Sequence, residues 1–228
     1  MLDVINKKEY FDWWDNRIAD RTNHSLKGIQ DAWIVSLFRN KQQLKIAEIG
    51  GGNSRVLNRF KQNNECWNID KFEGLGGGPK EIQEMPDIKI VRSYIGDFDP
   101  YLPENYFDII FSISVIEHIP KNNIQKVFAD CHRLLKTGGM MAHAIDAYVC
   151  DIPIPQRLAI VDQYVEAIEL QGFEWSVAPK IDKNLTFKSD FASNSDLTMA
   201  GWNHLAPTLR TTREQSQSIS LKLLVYKK

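Results

Sequence analysis

The fold of this chain is decided by ten residues, Lys45-Ile46-Ala47-Glu48-Ile49-Gly50-Gly51-Gly52-Asn53-Ser54. The short apolar run predicts a β-strand, the three glycines predict a tight turn, and Asn53 and Ser54 are residue types that commonly begin a helix. Glycine adopts positive φ values and has no Cβ, so a flat or charged ligand can approach the main chain where the strand ends. The stretch therefore indicates a site for a nucleotide-like cofactor.

The charges around this turn narrow the choice of cofactor. A dinucleotide-binding turn reads G-x-G-x-x-G and holds a pyrophosphate at the start of the next helix, whereas Arg55 occupies the place of the third glycine here. Glu48 would repel two phosphates but can tolerate the ammonium and sulfonium charges of S-adenosylmethionine. The pattern E-x-G-x-G, formed by Glu48, Gly50 and Gly52, resembles the first motif of the class I S-adenosylmethionine-dependent methyltransferases.

Two later segments resemble further parts of that family's cofactor site. Residues 66–70 read as a second strand that ends in Asp70, which is suited to accept hydrogen bonds from a ribose. Dinucleotide enzymes share this acid, so Asp70 alone does not discriminate between the two families. The predicted strand 87–92 leads to Gly96-Asp97-Phe98, which resembles the family's adenine-binding loop, with a carboxylate on the exocyclic amine and an aromatic ring against the base.

The resemblance continues toward the carboxyl end of this core. Residues 106–119 read Y-F-D-I-I-F-S-I-S-V-I-E-H-I and resemble the signature F-D-x-V-x-S-x-x-V-L-E-H. Residues 134–141 read L-L-K-T-G-G-M-M and resemble L-L-K-P-G-G, with Thr137 in place of proline. The order and spacing of all these motifs hold from about residue 44 to residue 146.

The resemblance implies that the cofactor is S-adenosylmethionine and that the product is S-adenosylhomocysteine. Asp70 would bind the ribose, Asp97 and Phe98 would bind the adenine, and His118 would lie near the methionine end. Lys71 follows Asp70, and its alternative interpretation is a surface charge. The expected cofactor-binding residues are Glu48, Gly50, Gly52, Asn53, Asp70, Lys71, Asp97, Phe98, Ser112 and His118.

Length and composition restrict the class of protein and its partners. A chain of 228 residues is long enough for one sizeable domain. A net charge of −1 and scattered basic residues disfavour a nucleic-acid partner, and no apolar run is long enough to indicate a membrane span. Three cysteines without metal-like spacing predict reduced thiols and a cytoplasmic location. The oligomeric state stays open, with a homodimer among the alternatives.

Alternating strand and helix patterns predict a three-layer αβα fold. The expected sheet has seven mostly parallel strands with an antiparallel last strand, at residues 45–50, 65–70, 87–92, 106–112, 139–146, 173–177 and 219–226. Two helices, over residues 2–20 and after the possible cap Ser25, are expected to precede it. The single domain divides into an N-terminal helical cap (1–43), a cofactor-binding core (44–178), an insertion or lid (179–217) and the last strand (218–228).

Catalytic residues are expected after the fourth and fifth strands of the sheet. If the acceptor is a hydroxyl, a base must take its proton, and His143 is the first candidate, helped or oriented by Asp146. A spacing of three puts the two on opposite faces of an ideal strand, so both reach the cleft only if the strand has already ended. A buried His143 behind the sheet is the competing interpretation. No acids have convincing metal-ligand spacing, so no metal is expected.

The sequence therefore predicts an enzyme that methylates a small polar acceptor. A hydroxyl of a sugar or sugar nucleotide is favoured, because the insertion is polar and because His143 and Asp146 offer base chemistry. The alternatives are N- or carboxyl-methylation of a natural-product intermediate, a binding module without catalysis, and a nicotinamide enzyme, which Arg55 and Glu48 disfavour.

Overall fold

A computed structural model of the chain describes residues 1–23, 25–74, 78–82, 84–150, 155–179 and 216–228. Its α-helices are α1 (Lys7–Asp15), α2 (Leu26–Phe38), α3 (Leu57–Phe60), α4 (Ile124–Leu134) and α5 (Pro155–Leu170). Its strands are β1 (Leu2–Val4), β2 (Lys45–Ile49), β3 (Glu65–Ile69), β4 (Ile88–Val91), β5 (Phe107–Ile113), β6 (Leu135–Cys150), β7 (Glu174–Trp175) and β8 (Ser216–Tyr226). Short 3-10 helices cover Ile116–His118 and Lys121–Asn123.

The strands form one mixed sheet. Its order is β1-β8-β6-β5-β2-β3-β4, and β7 pairs with β8 beside β1. The five strands from β6 to β4 run parallel to their neighbours, whereas β8 is antiparallel to β6, β1 and β7. The expected mostly parallel sheet with an antiparallel last strand is confirmed, and the described residues form eight strands rather than seven.

Helices cover both faces of this sheet and create two apolar cores. One core joins α4 and α5 to the sheet through residues such as Phe128 and Ile168. The other joins α1, α2 and α3 to the opposite face through residues such as Trp33 and Leu57. Neighbouring residues of a strand alternate between the two cores, because successive side chains point to opposite faces of a sheet.

The additional strand, β1, corrects the prediction of a helix over residues 2–20. Leu2 and Ile5 are fully buried, but Leu2 pairs with Leu223 in β8 and Ile5 follows the strand. The helix starts only at Lys7, because Asn6 caps it: its side chain accepts from the Glu9 backbone, and the Glu9 side chain accepts from the Asn6 backbone. The cap of α2 is confirmed, since the Ser25 side chain accepts from the backbone of Gly28.

The strand predicted for residues 139–146 is longer at both ends. Phe107 pairs with Leu135 and Ile109 with Met140, so the register shifts between these pairs and the glycine turn becomes a bulge within β6. Gly138, with φ +75°, donates its backbone N–H to Lys227. Beyond residue 146 the strand continues to Cys150, held by β8. The predicted lid over 179–217 lies almost entirely outside the described residues.

The structure tests two further expectations in part: reduced cysteines and the lack of a membrane-spanning segment. Cys66 and Cys131 are buried, free thiols, while the side chain of Cys150 is not among the described ones. No helix in the described ranges is both long enough and apolar enough to span a membrane.

The pairing of β1 with β8 leads to a prediction about stability. Leu2→Ala should lower the free energy of unfolding by about 2–5 kcal/mol, because it empties a fully buried site in the core that contains α4 and α5. Leu170→Ala, the same change at a position 64% exposed, is the control and should stay within about 0.5 kcal/mol of the wild type. Urea denaturation measures both. Equal stability of the two variants would mean that β1 is not part of the sheet.

Candidate functional site

The glycine turn after β2 is fastened to the end of β3. The backbone N–H of Gly50 donates to the carbonyl of Ile69 at 2.8 Å. Gly52 is bonded through both of its backbone groups: its N–H donates to Asp70 Oδ2 at 2.9 Å, and its carbonyl accepts from Asn68 Nδ2 at 2.7 Å. The turn is therefore a rigid edge of the site rather than a free loop.

Glycine is required at Gly50 for both conformation and packing. Gly50 has φ +62°, a region that other residues adopt only with strain. A Cβ added there would lie 2.7 Å from Cγ2 of Val115, the second residue after β5. The missing side chain thus lets β5 and its exit pack against the turn, and together they form the floor of a cavity.

A buried acid links the two ends of the same turn. Glu48 is 4% exposed, and its carboxyl accepts a short hydrogen bond from the hydroxyl of Ser54. Burial raises the pKa of Glu48 to about 8, with smaller contributions from neighbouring acids, so this carboxyl is mostly protonated at neutral pH. The Ser54 hydroxyl in turn accepts from the backbone of Leu57 at the start of α3.

A cavity of about 840 Å³ lies over the carboxyl ends of the parallel strands. Its lining includes Ile95, Asp97 and Val127, then Asp70 with the glycine turn, and Lys27 of α2. Its size and its position at the ends of parallel strands are those of a small-molecule site.

Asp70 is placed to serve this cavity while it holds the turn. Oδ2 accepts from Gly52, and Oδ1 accepts from the backbone of Phe72 at 2.7 Å. An ionised carboxylate has about four acceptor positions. Two of them remain for a ligand in the cavity.

The loop that carries Asp97 is fixed by a buried carboxylate from α4. Asp130 Oδ2 accepts from the backbone of Gly96 at 2.8 Å and of Phe98 at 3.3 Å, and Arg133 pairs with the same side chain at 2.8 Å. This geometry turns Phe98 outward. It has φ +55°, is 45% exposed and does not line the cavity, so its ring is not presented to the cavity as the sequence predicted.

Most of the predicted cofactor residues meet at this cavity. Those that line it are Glu48, Gly50, Gly52, Asn53, Asp70, Lys71, Asp97 and His118. Phe98 and Ser112 do not line it. The Lys71 ammonium group lies 5.5 Å from the ring centroid of Tyr94, an arrangement typical of a surface cation–π pair.

His143 is buried in the core instead of facing the cavity. It is 0% exposed, its Nδ1 lies 2.8 Å from the hydroxyl of the equally buried Ser112, and its ring is 5.9 Å from that of Phe128. Burial lowers the pKa of His143 to about 3. The structure contradicts the placement of His143 and Asp146 together at the cleft. It agrees with the competing interpretation of a histidine behind the sheet.

Asp146 is separated from His143 because β6 does not end before them. His143 faces α4, whereas Asp146 points to the opposite side of the sheet, where Oδ1 accepts from Gln30 Nε2 at 2.6 Å and from the Ser114 hydroxyl at 2.7 Å. The two do not form a catalytic pair. In the described parts of the chain, no three His, Cys, Asp or Glu side chains are grouped for a metal.

The contribution of α2 to the cavity was missed from the sequence. Lys27 and Asp31 line it, and Asp31 forms a two-point ion pair with Arg55, with distances of 2.6 and 2.8 Å. A signal was present: Gln30 and Asp31 interrupt the apolar stripe of this helix, and polar residues on a buried stripe usually have a partner.

The buried Glu48 should give the protein a distinctive pH dependence. Between pH 6.5 and 8 the unfolded chain carries an ionised Glu48, while the folded protein keeps its proton up to about pH 8. This difference contributes a decline in the free energy of unfolding as the pH rises from 6.5 to 8. Glu48→Gln should make this decline shallower, by up to about 1.4 kcal/mol per pH unit.

Urea denaturation at several pH values in this window measures the slope. Glu65→Gln is the control, because hydrogen bonds from Lys89 and other groups lower the pKa of Glu65 to about 2, so it is ionised in both states throughout. A Glu48→Gln curve parallel to the wild-type curve would show that Glu48 is already charged in the fold.

Comparisons with known proteins agree with this geometry. Residues 47–143 match a family model described as a methyltransferase domain. The comparison with curated proteins gives no match. Among solved structures, a TehB-like SAM-dependent methyltransferase from Corynebacterium glutamicum ATCC 13032 Kitasato is similar over 97% of both chains, with 17% identity and a TM-score of 0.55.

Two further structures show the same architecture. Phosphoethanolamine N-methyltransferase 2 from Haemonchus contortus matches 87% of this chain and 52% of its own, at 14% identity and a TM-score of 0.55. Geranyl diphosphate C-methyltransferase from Streptomyces coelicolor A3(2) matches 87% and 78%, at 9% identity and a TM-score of 0.55. The chain thus has the Rossmann-like fold of class I methyltransferases, and residues 47–143 match a methyltransferase domain.

Proposed function

We propose that this chain is an S-adenosylmethionine-dependent methyltransferase that acts on a small polar acceptor. The observation that carries the proposal is the continuous cavity that joins Asp97, Asp70, the glycine turn and Lys27. Its volume is in the range of sites that enclose ligands of cofactor size. The methyltransferase domain match supports the same activity.

The residues at one end of the cavity fit the adenosine half of the cofactor. The two unused acceptor positions of Asp70 suit the two hydroxyls of a ribose. Asp97 would accept from the exocyclic amine of the adenine. Ile95 and Val127, which line the cavity beside it, would provide the apolar faces for the base in place of Phe98.

The rest of the cavity fits the methionine half better than a pyrophosphate. The helix after the glycine turn, α3, has only four residues, so its dipole offers little to phosphates. Glu48 is bonded to Ser54 and mostly protonated. It therefore supplies no counter-charge to the sulfonium of the cofactor and does not repel a phosphate. Lys27 would hold the carboxylate of the methionine.

The bound cofactor supplies an activated methyl group with a good leaving group. The protein must then orient the acceptor and exclude water, and these contributions account for much of the rate. We infer that the acceptor is small and polar, because Ser114, His118 and Asn123 line the cavity. Two structurally similar enzymes are named for phosphoethanolamine and geranyl diphosphate, and these names support a small acceptor.

Within this class we favour the hydroxyl of a sugar or sugar nucleotide. N- or carboxyl-methylation of a natural-product intermediate is the alternative, and a module that binds the cofactor without catalysis is a second one. The base expected from the sequence, His143, is not available for a hydroxyl acceptor, since it is fully buried on the α4 side of the sheet.

Calorimetric titration of the purified protein tests the cofactor. S-adenosylmethionine and S-adenosylhomocysteine should both bind, and NAD should not. Asp70→Ala should weaken the affinity for S-adenosylhomocysteine by about 10- to 150-fold, because it removes charge-assisted hydrogen bonds worth about 1.5–3 kcal/mol. Asp70→Asn retains an acceptor oxygen and should lose less.

The control is Asp15→Ala at the exposed end of α1, which should bind as the wild type does. Tight binding of NAD without binding of either sulfur compound would overturn the proposal. Unchanged affinity in Asp70→Ala would remove Asp70 from the site.

A further inference from the structure

A second pocket, of about 380 Å³, lies where the segment after α1, the last turn of α2 and α3 meet. Three of its lining residues are arginines, Arg17, Arg39 and Arg59, and none is acidic. We call it the arginine pocket. It shares no lining residue with the cavity assigned to the cofactor. Its volume is within the range of sites that hold small molecules, so it is a candidate for a separate binding site.

The positive charge of the arginine pocket is not neutralised by neighbouring acids. In the parts of the chain that the structure describes, the arginines that form ion pairs are Arg55 and Arg133, not those of the pocket. Residues 16–63 contain nine lysines and arginines but only three acids. Two of these acids are Asp31, which pairs with Arg55, and Glu48, which is mostly protonated. A concave surface lined by one sign of charge concentrates counter-ions, so an anion is the ligand expected here.

Two of the guanidinium groups are held in place by the backbone. Arg39 Nη1 donates to the carbonyl of Asn16 at 3.0 Å, and Arg59 Nη2 donates to the carbonyl of Ile18 at 3.2 Å. A guanidinium group has five N–H donors, so each keeps donors for a ligand. Because both side chains are already ordered, less conformational entropy is lost when they bind an anion.

Arg17 occupies a backbone position that favours glycine. It follows Asn16, the C-cap of α1, and has φ +56°. Glycine is the usual residue immediately after a helix C-cap, because it adopts positive φ without strain. An arginine there brings a charged side chain to the pocket, and strained backbone positions are concentrated at binding sites.

The number and the chemistry of these groups indicate which anion fits. The planar fork of a guanidinium group binds two oxygens of one phosphate at once, and three such groups match the several charges of a diphosphate better than a single carboxylate. We propose that the arginine pocket is a second binding site, which holds a small molecule by a diphosphate group. The buried residues Ile18, Val35 and Phe60 also line the pocket and would contact the rest of that molecule.

Helix α2 extends from the cofactor cavity to the arginine pocket. Lys27 and Asp31 line the cavity, while Val35 and Arg39, one and two turns after Asp31, line the pocket. A ligand in the pocket therefore contacts the helix that forms a wall of the cofactor site, without sharing that site. It is neither the methyl donor nor the acceptor, and its binding does not depend on the methyltransferase activity.

Calorimetric titration of the full chain with pyrophosphate, at constant ionic strength, tests the site. The wild-type protein should bind one pyrophosphate, and more tightly than inorganic phosphate. Arg39→Gln and Arg59→Gln should each lower the affinity about 10-fold or more, because each removes charge-assisted hydrogen bonds. Arg39→Lys keeps the charge but loses the fork, so its affinity should lie between those of the wild type and Arg39→Gln.

Arg21→Gln is the matched control. Arg21 is also exposed and donates to a backbone carbonyl, that of Trp14, at 3.0 Å, but it does not line the pocket. This variant should bind pyrophosphate as the wild type does. The bonds that the pocket arginines make to the described backbone come from Arg39 and Arg59. Arg17→Gln therefore keeps the proposal testable if the other variants unfold, and it too should lower the affinity.

Two further arms distinguish other modes of binding. Vesicles of phosphatidylglycerol and phosphatidylcholine present phosphate groups on a membrane surface, and S-adenosylhomocysteine competes for the larger cavity. The protein should not sediment with the vesicles, and S-adenosylhomocysteine should not displace pyrophosphate. The proposal is overturned by a lack of saturable pyrophosphate binding, by wild-type affinity in the three Gln variants of the pocket, by displacement with S-adenosylhomocysteine, or by arginine-dependent binding to the vesicles alone.

Discussion

The attachment of Gly52 to β3 is the constraint on which the rest of the site depends. Both backbone polar groups of this glycine are bonded to side chains of neighbouring residues, Asp70 and Asn68. The bonds hold the turn at the positive φ values that only glycine adopts easily. They also orient the carboxylate of Asp70, which lines the cavity and has two acceptor positions left for a ligand. One side chain therefore shapes the site and is available to bind the ligand.

A second network adjoins the cavity through Ser114 and joins parts of the chain that are distant in sequence. Gln30 of α2 donates to Asp146 on β6 at 2.6 Å and to Ser220 on β8 at 3.0 Å, and it accepts from Ser114 at 2.9 Å. Residues 1–43 thus supply more than a helical cover, because β1 extends the sheet and α2 forms a wall of the site.

The parts of the site that could be predicted from the sequence depend on the main chain. A strand followed by glycines, and an acid at the end of the next strand, fix where Gly50, Asp70 and Asp97 lie, because parallel strands end at the same edge of the sheet. Side-chain direction was harder to predict. The position of His143 depended on where β6 ends, and pairing with β8 carries the strand to Cys150. Phe98 is turned outward by hydrogen bonds to Asp130, a residue 32 positions away, which no local pattern reveals.

The most direct test is a crystal structure of the protein with S-adenosylhomocysteine. We expect the ribose hydroxyls within hydrogen-bond distance of Asp70, the adenine amine at Asp97, and the sulfur at the end of the cavity near Ser114 and His118. A complex in which the nucleoside lies elsewhere, or crystals in which side chains block this cavity at saturating ligand, would contradict the assignment of the glycine turn as a methyl-donor site.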